Sequence, residues 1–310
     1  SPQLTKIRRR QLAENFVNMF RSSMKFIQWF PGHMTKAMRM MQDCVPLVDG
    51  VMFVLDARAP AATFNKKLKA LVQNKPVLYI LNKADLADGA KTDAFLLELN
   101  KGGALAVKCA AANASSAAKQ ISAKALELLK EKRARDAAKG LTRPLRFMVA
   151  GIPNTGKSTV INALAGGKRA VTGDKAGVTR GKQWIRCAGF ELLDTPGTMP
   201  PSFENQTLAQ HLAYIGSIND DILVFYGLSL ELLRELAENY PALLRERYAI
   251  EEIAPPAEML GGICKRRGFV LRGGEYDLER GARALMDDFR KGRIGKITLE
   301  RAADYAGFFG

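Results

Sequence analysis

Apolar residues along the first two thirds of the chain come in short runs separated by helical stretches. VMFVLDA (51–57) is a continuous apolar run of strand length. A helical stretch follows around Phe64 to Val72, and PVLYILN (76–82) is the next strand-like run. The pattern predicts a helix over 91–100, a strand at ALAVKCA (104–110) and a long helix through ISAKALELLKEKRAR. LRFMVAG (145–151) reads as a strand that runs into a Gly-rich loop and a helix, and WIRCAG with FELLD reads as a hairpin ending the unit. Strands alternating with helices predict a mostly parallel sheet covered by helices.

Beyond Pro200 and Pro201 the pattern changes. Residues 204–310 carry helical periodicity, as in LSLELLRELAENY, with breaks at Pro241 and at Pro255–Pro256. The first ~25 residues are different again: Arg-rich, with Leu12, Phe16, Met19 and Phe20 on one helical face. They resemble a transit peptide or its remnant, or a basic arm that docks on the body of the protein or on a partner. The expected division is therefore 1–25 arm, 26–201 α/β domain and 202–310 helical domain.

Composition narrows the function classes. No apolar run approaches the ~18 residues of a membrane span. The four cysteines, Cys44, Cys109, Cys187 and Cys264, form no CxxC pair, and the histidines are only His33 and His211. This speaks against a disulfide framework, a zinc site or a His-based metal centre. The net charge of +16 points to a polyanionic partner, with nucleic acid first. In the C-terminal third the basic clusters are Lys265–Arg267, Arg272 and Arg290–Lys296.

Four segments carry chemistry. GIPNTGKS (151–158) follows a strand, precedes a helix and matches the phosphate-binding loop pattern. Its N–H groups, including those around Asn154, Thr155, Gly156 and Thr159, would cradle phosphates. Lys157 would neutralise the β and γ phosphates and Ser158 would hold Mg²⁺. DTPG (194–197) follows a strand about 40 residues later; Asp194 would reach Mg²⁺ and the Gly197 N–H the γ-phosphate. Between them, Thr179 is the candidate switch threonine on Mg²⁺. NKAD (82–85) caps a buried strand: Asp85 can accept two hydrogen bonds from guanine, Asn82 would brace the loop and the Lys83 stem would cover the base. A backbone N–H at Ala110 or Ala111 could meet guanine O6. These features point to GTP and GDP as ligands.

The order is unusual. GTPases run phosphate loop, switch threonine, DxxG, NKxD, whereas here NKAD precedes the phosphate loop by about 70 residues. Joining the old termini and cutting elsewhere rebuilds the same sheet. The cut puts DTPG directly before the helical domain, so nucleotide state could pass into residues 204–310.

With WFPGHMTKA (29–37), LDARAP (55–60), NKAD, GIPNTGKST, DTPG and ENYPALLRERY (238–248), the chain resembles the circularly permuted ribosome-assembly GTPases of the YlqF/RbgA type, which include mitochondrial members. The resemblance runs from Trp29 to the C-terminus. It implies a circularly permuted P-loop GTPase domain of α/β class, an all-helical C-terminal domain contacting rRNA, and a role in maturation of the large ribosomal subunit with other assembly factors. The extra basic residues at the start suggest a mitochondrial matrix member, with a cytoplasmic one as the alternative. By the resemblance His33 is the candidate for orienting the attacking water, because Thr198 stands where Ras-like proteins carry Gln. Asn154 sits where related GTPases hold K⁺. Two other function classes stand beside this reading: an rRNA-binding scaffold with structural GTP and negligible turnover, and a membrane-associated signalling GTPase.

Overall fold

The computed structural model describes residues 31–167, 184–199, 205–250 and 252–310, with side chains from residue 36 onward. The expected arm at 1–25 and Thr179 lie outside the described residues. The chain divides into two compact units, one of Trp29–Pro201 with Glu300–Gly310 and one that includes Ser202–Leu299.

The first unit is a six-stranded sheet in the order β3-β2-β1-β4-β6-β5. The strands are β1 Gly50–Asp56, β2 Val77–Asn82, β3 Leu105–Lys108, β4 Leu145–Gly151, β5 Trp184–Arg186 and β6 Phe190–Asp194. All neighbours are parallel except β5, which pairs antiparallel with β6 as the expected hairpin. Strands β1 and β2 are buried at every position, which is why they read as unbroken apolar runs and not as alternating ones.

The helices of this unit are α1 Pro31–Cys44, α2 Lys66–Leu71, α3 Gly89–Leu99, α4 Ala114–Leu128, α5 Lys130–Ala138 and α6 Lys157–Leu164. Met52, Val54, Leu78, Ile80, Phe147 and Val149 pack with Ile121, Ala125, Val160 and Ile161 of α4 and α6. The single long helix expected through 121–135 is two helices that meet at Leu129. Leu129 is the last residue of the buried stripe that begins at Ala117, and α5 buries nothing beyond it.

On another part of the sheet, Phe53 and Tyr79 meet Phe64 with ring centroids 6.2 and 6.1 Å away. The C-terminal segment joins this cluster. Phe309 lies 5.1 Å from Phe64, 6.1 Å from Phe95 and 6.4 Å from Tyr79. The Tyr79 hydroxyl donates to the Phe309 carbonyl at 2.9 Å. The Glu300 carboxylate accepts N–H bonds from Ala61 at 2.5 Å and Ala62 at 3.0 Å. The helical unit therefore ends at Leu299, whereas the sequence pattern runs it to 310. Residues 300–310 return to the sheet because their aromatics find an apolar cluster there.

The second unit holds α7 Gln206–Tyr214, α8 Phe225–Asn239, α9 Pro241–Tyr248, α10 Pro256–Arg267 and α11 Leu278–Arg290. Pro241 and Pro256 start helices, where the missing N–H is no loss. The Asn205 and Asp277 side chains cap α7 and α11. Leu228, Leu232, Leu236, Leu260, Ile263 and Leu285 form the buried interior of these helices. Asp288, fully buried, accepts from the Tyr248 hydroxyl at 2.9 Å and pairs with Arg247 and Arg267. No helix among the described residues is long and apolar enough to cross a membrane.

Removing the Phe309 ring should leave a cavity in the aromatic cluster. Phe309→Ala is expected to destabilise the sheet unit by about 3 kcal/mol, read as a lower denaturant midpoint for the intrinsic fluorescence of that unit. An unchanged midpoint would show that the C-terminal segment adds nothing to its stability.

Candidate functional site

Strand order reverses direction between β1 and β4. In open α/β sheets, ligands bind outside the carboxyl ends of the strands at such a point. The loops that leave β1, β2, β4 and β6 at that edge carry Asp56–Asn65, Asn82–Asp85, Gly151–Ser158 and Asp194–Thr198.

Asn82 ties three of the loops leaving this edge together. Its Nδ2 donates to the Thr155 carbonyl of the phosphate loop at 3.0 Å. Its Oδ1 accepts the Ala111 N–H at 2.9 Å and the Cys109 thiol at 3.7 Å. Lys83 adds a second tie, since its Nζ donates to the Asn154 carbonyl at 2.6 Å. Asp85 is exposed at the same loop, free to accept donors from a base. Of the two expected O6 donors, Ala111 commits its single N–H to Asn82, which leaves Ala110 as the other candidate. Burial, aided by the Asp85 charge, pushes the Cys109 thiol up to about 12, so it stays a neutral donor.

The phosphate loop has its own constraints. Gly156 has φ +89, and a Cβ there would stand 2.2 Å from Asn82 Nδ2. Glycine is what lets the backbone pass so close to Asn82. Asn154 also has positive φ, at 64, a conformation Asn tolerates better than most residues. Thr155 is buried and its hydroxyl donates to the Ile152 carbonyl at 2.9 Å, which folds the loop on itself. Ser158 and Thr159 are exposed in the first turn of α6, where helix N–H groups and dipole favour an anion.

The DTPG segment lies against this loop. The Thr198 N–H donates to the Gly151 carbonyl at 3.2 Å, and a Cβ on Gly197 would be 3.1 Å from Pro153 Cγ. The Thr195 hydroxyl donates to the Val149 carbonyl at 2.7 Å. Lys157 and Asp194 form a direct ion pair. The expected phosphate lysine and the expected Mg²⁺ carboxylate are thus within one bond of each other. Phosphates entering here would compete with Asp194 for Lys157.

The residues present fit a magnesium nucleotide. Ser158 follows Lys157 in the first turn of α6 and Asp194 ends β6, so the Lys157–Asp194 pair has a hydroxyl next to it in the chain and a carboxylate within it. Hard oxygen donors of this kind, completed by phosphate oxygens and water, suit Mg²⁺. His33 belongs to α1 by its backbone, but its side chain is not among those described.

Two features were missed by sequence reasoning. Asp56 and Arg58 of LDARAP are both buried and paired at 2.8 Å. An Asp and an Arg two residues apart at a strand end were the only signal. Thr198 is buried, and its hydroxyl has no hydrogen-bond partner among the described residues. Its side chain cannot do what an exposed Gln does for an attacking water.

The family model for 50S ribosome-binding GTPases matches residues 146–249. The match starts in β4 and leaves out Asn82–Asp85, as a permuted order requires. The chain is 39% identical over 282 residues to the Ribosome biogenesis GTPase A of Bacillus cereus, covering 90% of this chain and 95% of that protein. It is 41% identical to the protein of the same name from Priestia megaterium, covering 88% and 96%. It is 31% identical to the Mitochondrial ribosome-associated GTPase 1 of Mus musculus, covering 88% and 90%. Among solved structures it is similar to GDP-bound YlqF, with TM-score 0.58, 27% identity and coverage of 86% and 100%. GNP-bound YlqF from T. maritima matches with TM-score 0.57, 26% identity and coverage of 86% and 98%.

A buried hydroxyl without a partner costs about 1–3 kcal/mol relative to an apolar group of the same shape. Thr198→Val is therefore expected to raise stability by about 1 kcal/mol in denaturant unfolding and to leave GTP turnover unchanged. A large fall in turnover would give the Thr198 hydroxyl a catalytic part.

Proposed function

Because the chain belongs to the ribosome biogenesis GTPase A family, we propose that it is a slow GTPase switch that docks on the maturing large ribosomal subunit with GTP bound and leaves after hydrolysis. The observation that carries this reading is the Asn82 bridge, which joins a guanine-type loop to a phosphate loop despite their inverted order in the chain. In this reading Asp85 reads guanine, with Lys83 over the base and Ala110 at O6. Asn154, Thr155, Gly156 and Thr159 offer backbone N–H groups to the phosphates, and Lys157 leaves Asp194 for the β and γ phosphates. Ser158, Asp194 and Thr179 hold Mg²⁺, which when bound neutralises charge on the phosphates. The Gly197 N–H meets the γ-phosphate and couples its presence to the segment before residue 202.

Hydrolysis needs a group that orients water, and buried Thr198 does not supply it. We assign that role to His33 and a K⁺ site to Asn154, which would make turnover slow until a partner completes the site. The exposed Lys265, Arg266, Arg272, Lys291, Arg293 and Lys296 of the helical unit suit rRNA phosphates, so binding should weaken steeply with salt. The bacterial relatives at 39 and 41% identity outrank the mouse mitochondrial protein at 31%, so the proposal concerns the large subunit and assembly factors without a mitochondrial restriction. The scaffold reading, with structural GTP and negligible turnover, draws on Thr198.

Co-sedimentation with large subunits or their precursors separates the two. Binding with a non-hydrolysable GTP analogue, and much less with GDP, is expected for the switch. Equal binding in both states would favour the scaffold, and no binding would overturn the ribosomal partner. On the same particles, His33→Ala should lower stimulated turnover without changing GTP affinity, and KCl should support faster turnover than NaCl.

A further inference from the structure

Asp56 is a fully buried carboxylate that the roles above do not use. Its Oδ1 accepts the Arg58 backbone N–H at 3.0 Å and Arg58 Nε at 2.9 Å, and its Oδ2 accepts Arg58 Nη2 at 2.8 Å. A bidentate fork of this kind fixes the plane of the carboxylate. Arg58 alone would neutralise it. Yet Oδ2 also lies 3.1 Å from Lys83 Nζ, which comes from the base loop on the neighbouring strand. Burial by itself would raise the Asp56 carboxyl, but the Arg58 and Lys83 charges outweigh it and hold the group below its ordinary range. It is an anion at neutral pH.

The Lys83 ammonium is thus gripped by two acceptors from different loops, Asp56 Oδ2 and the Asn154 carbonyl. Its backbone is turned into the left-handed region, with φ 59, which is uncommon for a residue with a Cβ. A free lysine stem samples many rotamers. A stem fixed at both ends is a preformed apolar wall. The anchor is rigid as well: the Asp56 N–H donates to Thr63 Oγ1 at 3.1 Å, and the Thr63 hydroxyl donates to the Ala59 carbonyl at 2.9 Å. Glu300 caps the N–H groups of Ala61 and Ala62 in the same loop.

We propose that Asp56 is a positioning residue for nucleotide binding: it anchors the Lys83 ammonium so that the Lys83 stem is held as a wall for the face of the purine. This rests on the reading of Asn82–Asp85 as the base loop. Arg58 serves the same end by aiming the carboxylate. The segment LDARAP then acts as the outer brace of base recognition.

The test is a double-mutant cycle on the full chain, with GDP affinity measured by titration calorimetry for the native protein, Asp56→Asn, Lys83→Met and the double variant. Each single change is expected to weaken GDP about tenfold, and the double to be no weaker than Lys83→Met alone. Losses that multiply would mean that Asp56 does not act through Lys83, and native affinity in Asp56→Asn would mean that it does not act at all; either overturns the proposal. Inorganic pyrophosphate, which has no base, should bind Asp56→Asn as it binds the native protein, whereas a general loosening of the site would weaken both ligands. If Asp56→Asn does not fold, Asp56→Leu with Arg58→Leu removes both buried charges together and takes its place in the cycle. Failure of the native protein to bind GDP would overturn the base-loop reading and this proposal with it, whereas native binding with multiplying losses overturns the Asp56 assignment alone.

Discussion

Everything at the candidate site depends on one side-chain amide. Asn82 donates to the phosphate loop and accepts from the loop after β3, so the loops proposed to hold the base and the phosphates are tied at one edge of the sheet. The constraint runs both ways. Gly156 must lack a Cβ because Asn82 Nδ2 occupies that space, and Ala111 gives up its N–H to keep Asn82 in place. Chain order is irrelevant to such a bond, which needs only that β2 and β4 flank β1 in a parallel sheet. That is why a permuted chain can keep the site intact.

Much of this was legible in the sequence. The buried strands declared themselves as apolar runs, and the glycines of GIPNTGKS marked a loop that a phosphate could enter. The NKAD and DTPG segments were placed correctly at strand ends. What the sequence hid were interactions between groups far apart in the chain. Nothing in ERAADYAGFFG says that Glu300 caps Ala61 and Ala62 or that Phe309 seats beside Tyr79. Periodicity alone extends the helical domain to the last residue, because a pattern of apolar positions does not name the surface they will cover. The helix break at Leu129 was hidden for a related reason: no Pro or Gly marks it, only the end of a buried stripe. Thr198 could be flagged as the wrong residue for orienting water, but its burial came from the fold.

The charges divide between structure and ligand. Several of the basic residues that made the chain look polyanion-binding are committed internally: Arg290 to Asp220, and Arg247 and Arg267 to Asp288. Others, such as Lys265, Arg266 and Lys296, stay exposed. At the site the same division holds, with Arg58 serving a buried carboxylate while Lys157 pairs with Asp194, a carboxylate that phosphates can displace. The chain also passes from one unit to the other after Pro201 and back after Leu299. The first crossing follows DTPG and the second is fixed by Glu300 to the loop that carries Asp56. The Asn65 side chain of that loop reaches the Thr198 carbonyl at 3.5 Å.

In the proposed function this edge of the sheet is a guanine-nucleotide site at which Asp85 reads the base. Competition binding of GDP, ADP and xanthosine diphosphate to the native protein and to Asp85→Asn tests it most directly. The native protein is expected to prefer GDP over ADP by at least about a hundredfold. In Asp85→Asn that preference should collapse while xanthosine diphosphate gains, because an amide can donate to the 2-oxo group that replaces the guanine amine. Equal affinity of the native protein for GDP and ADP, or an unaltered preference in Asp85→Asn, would contradict it.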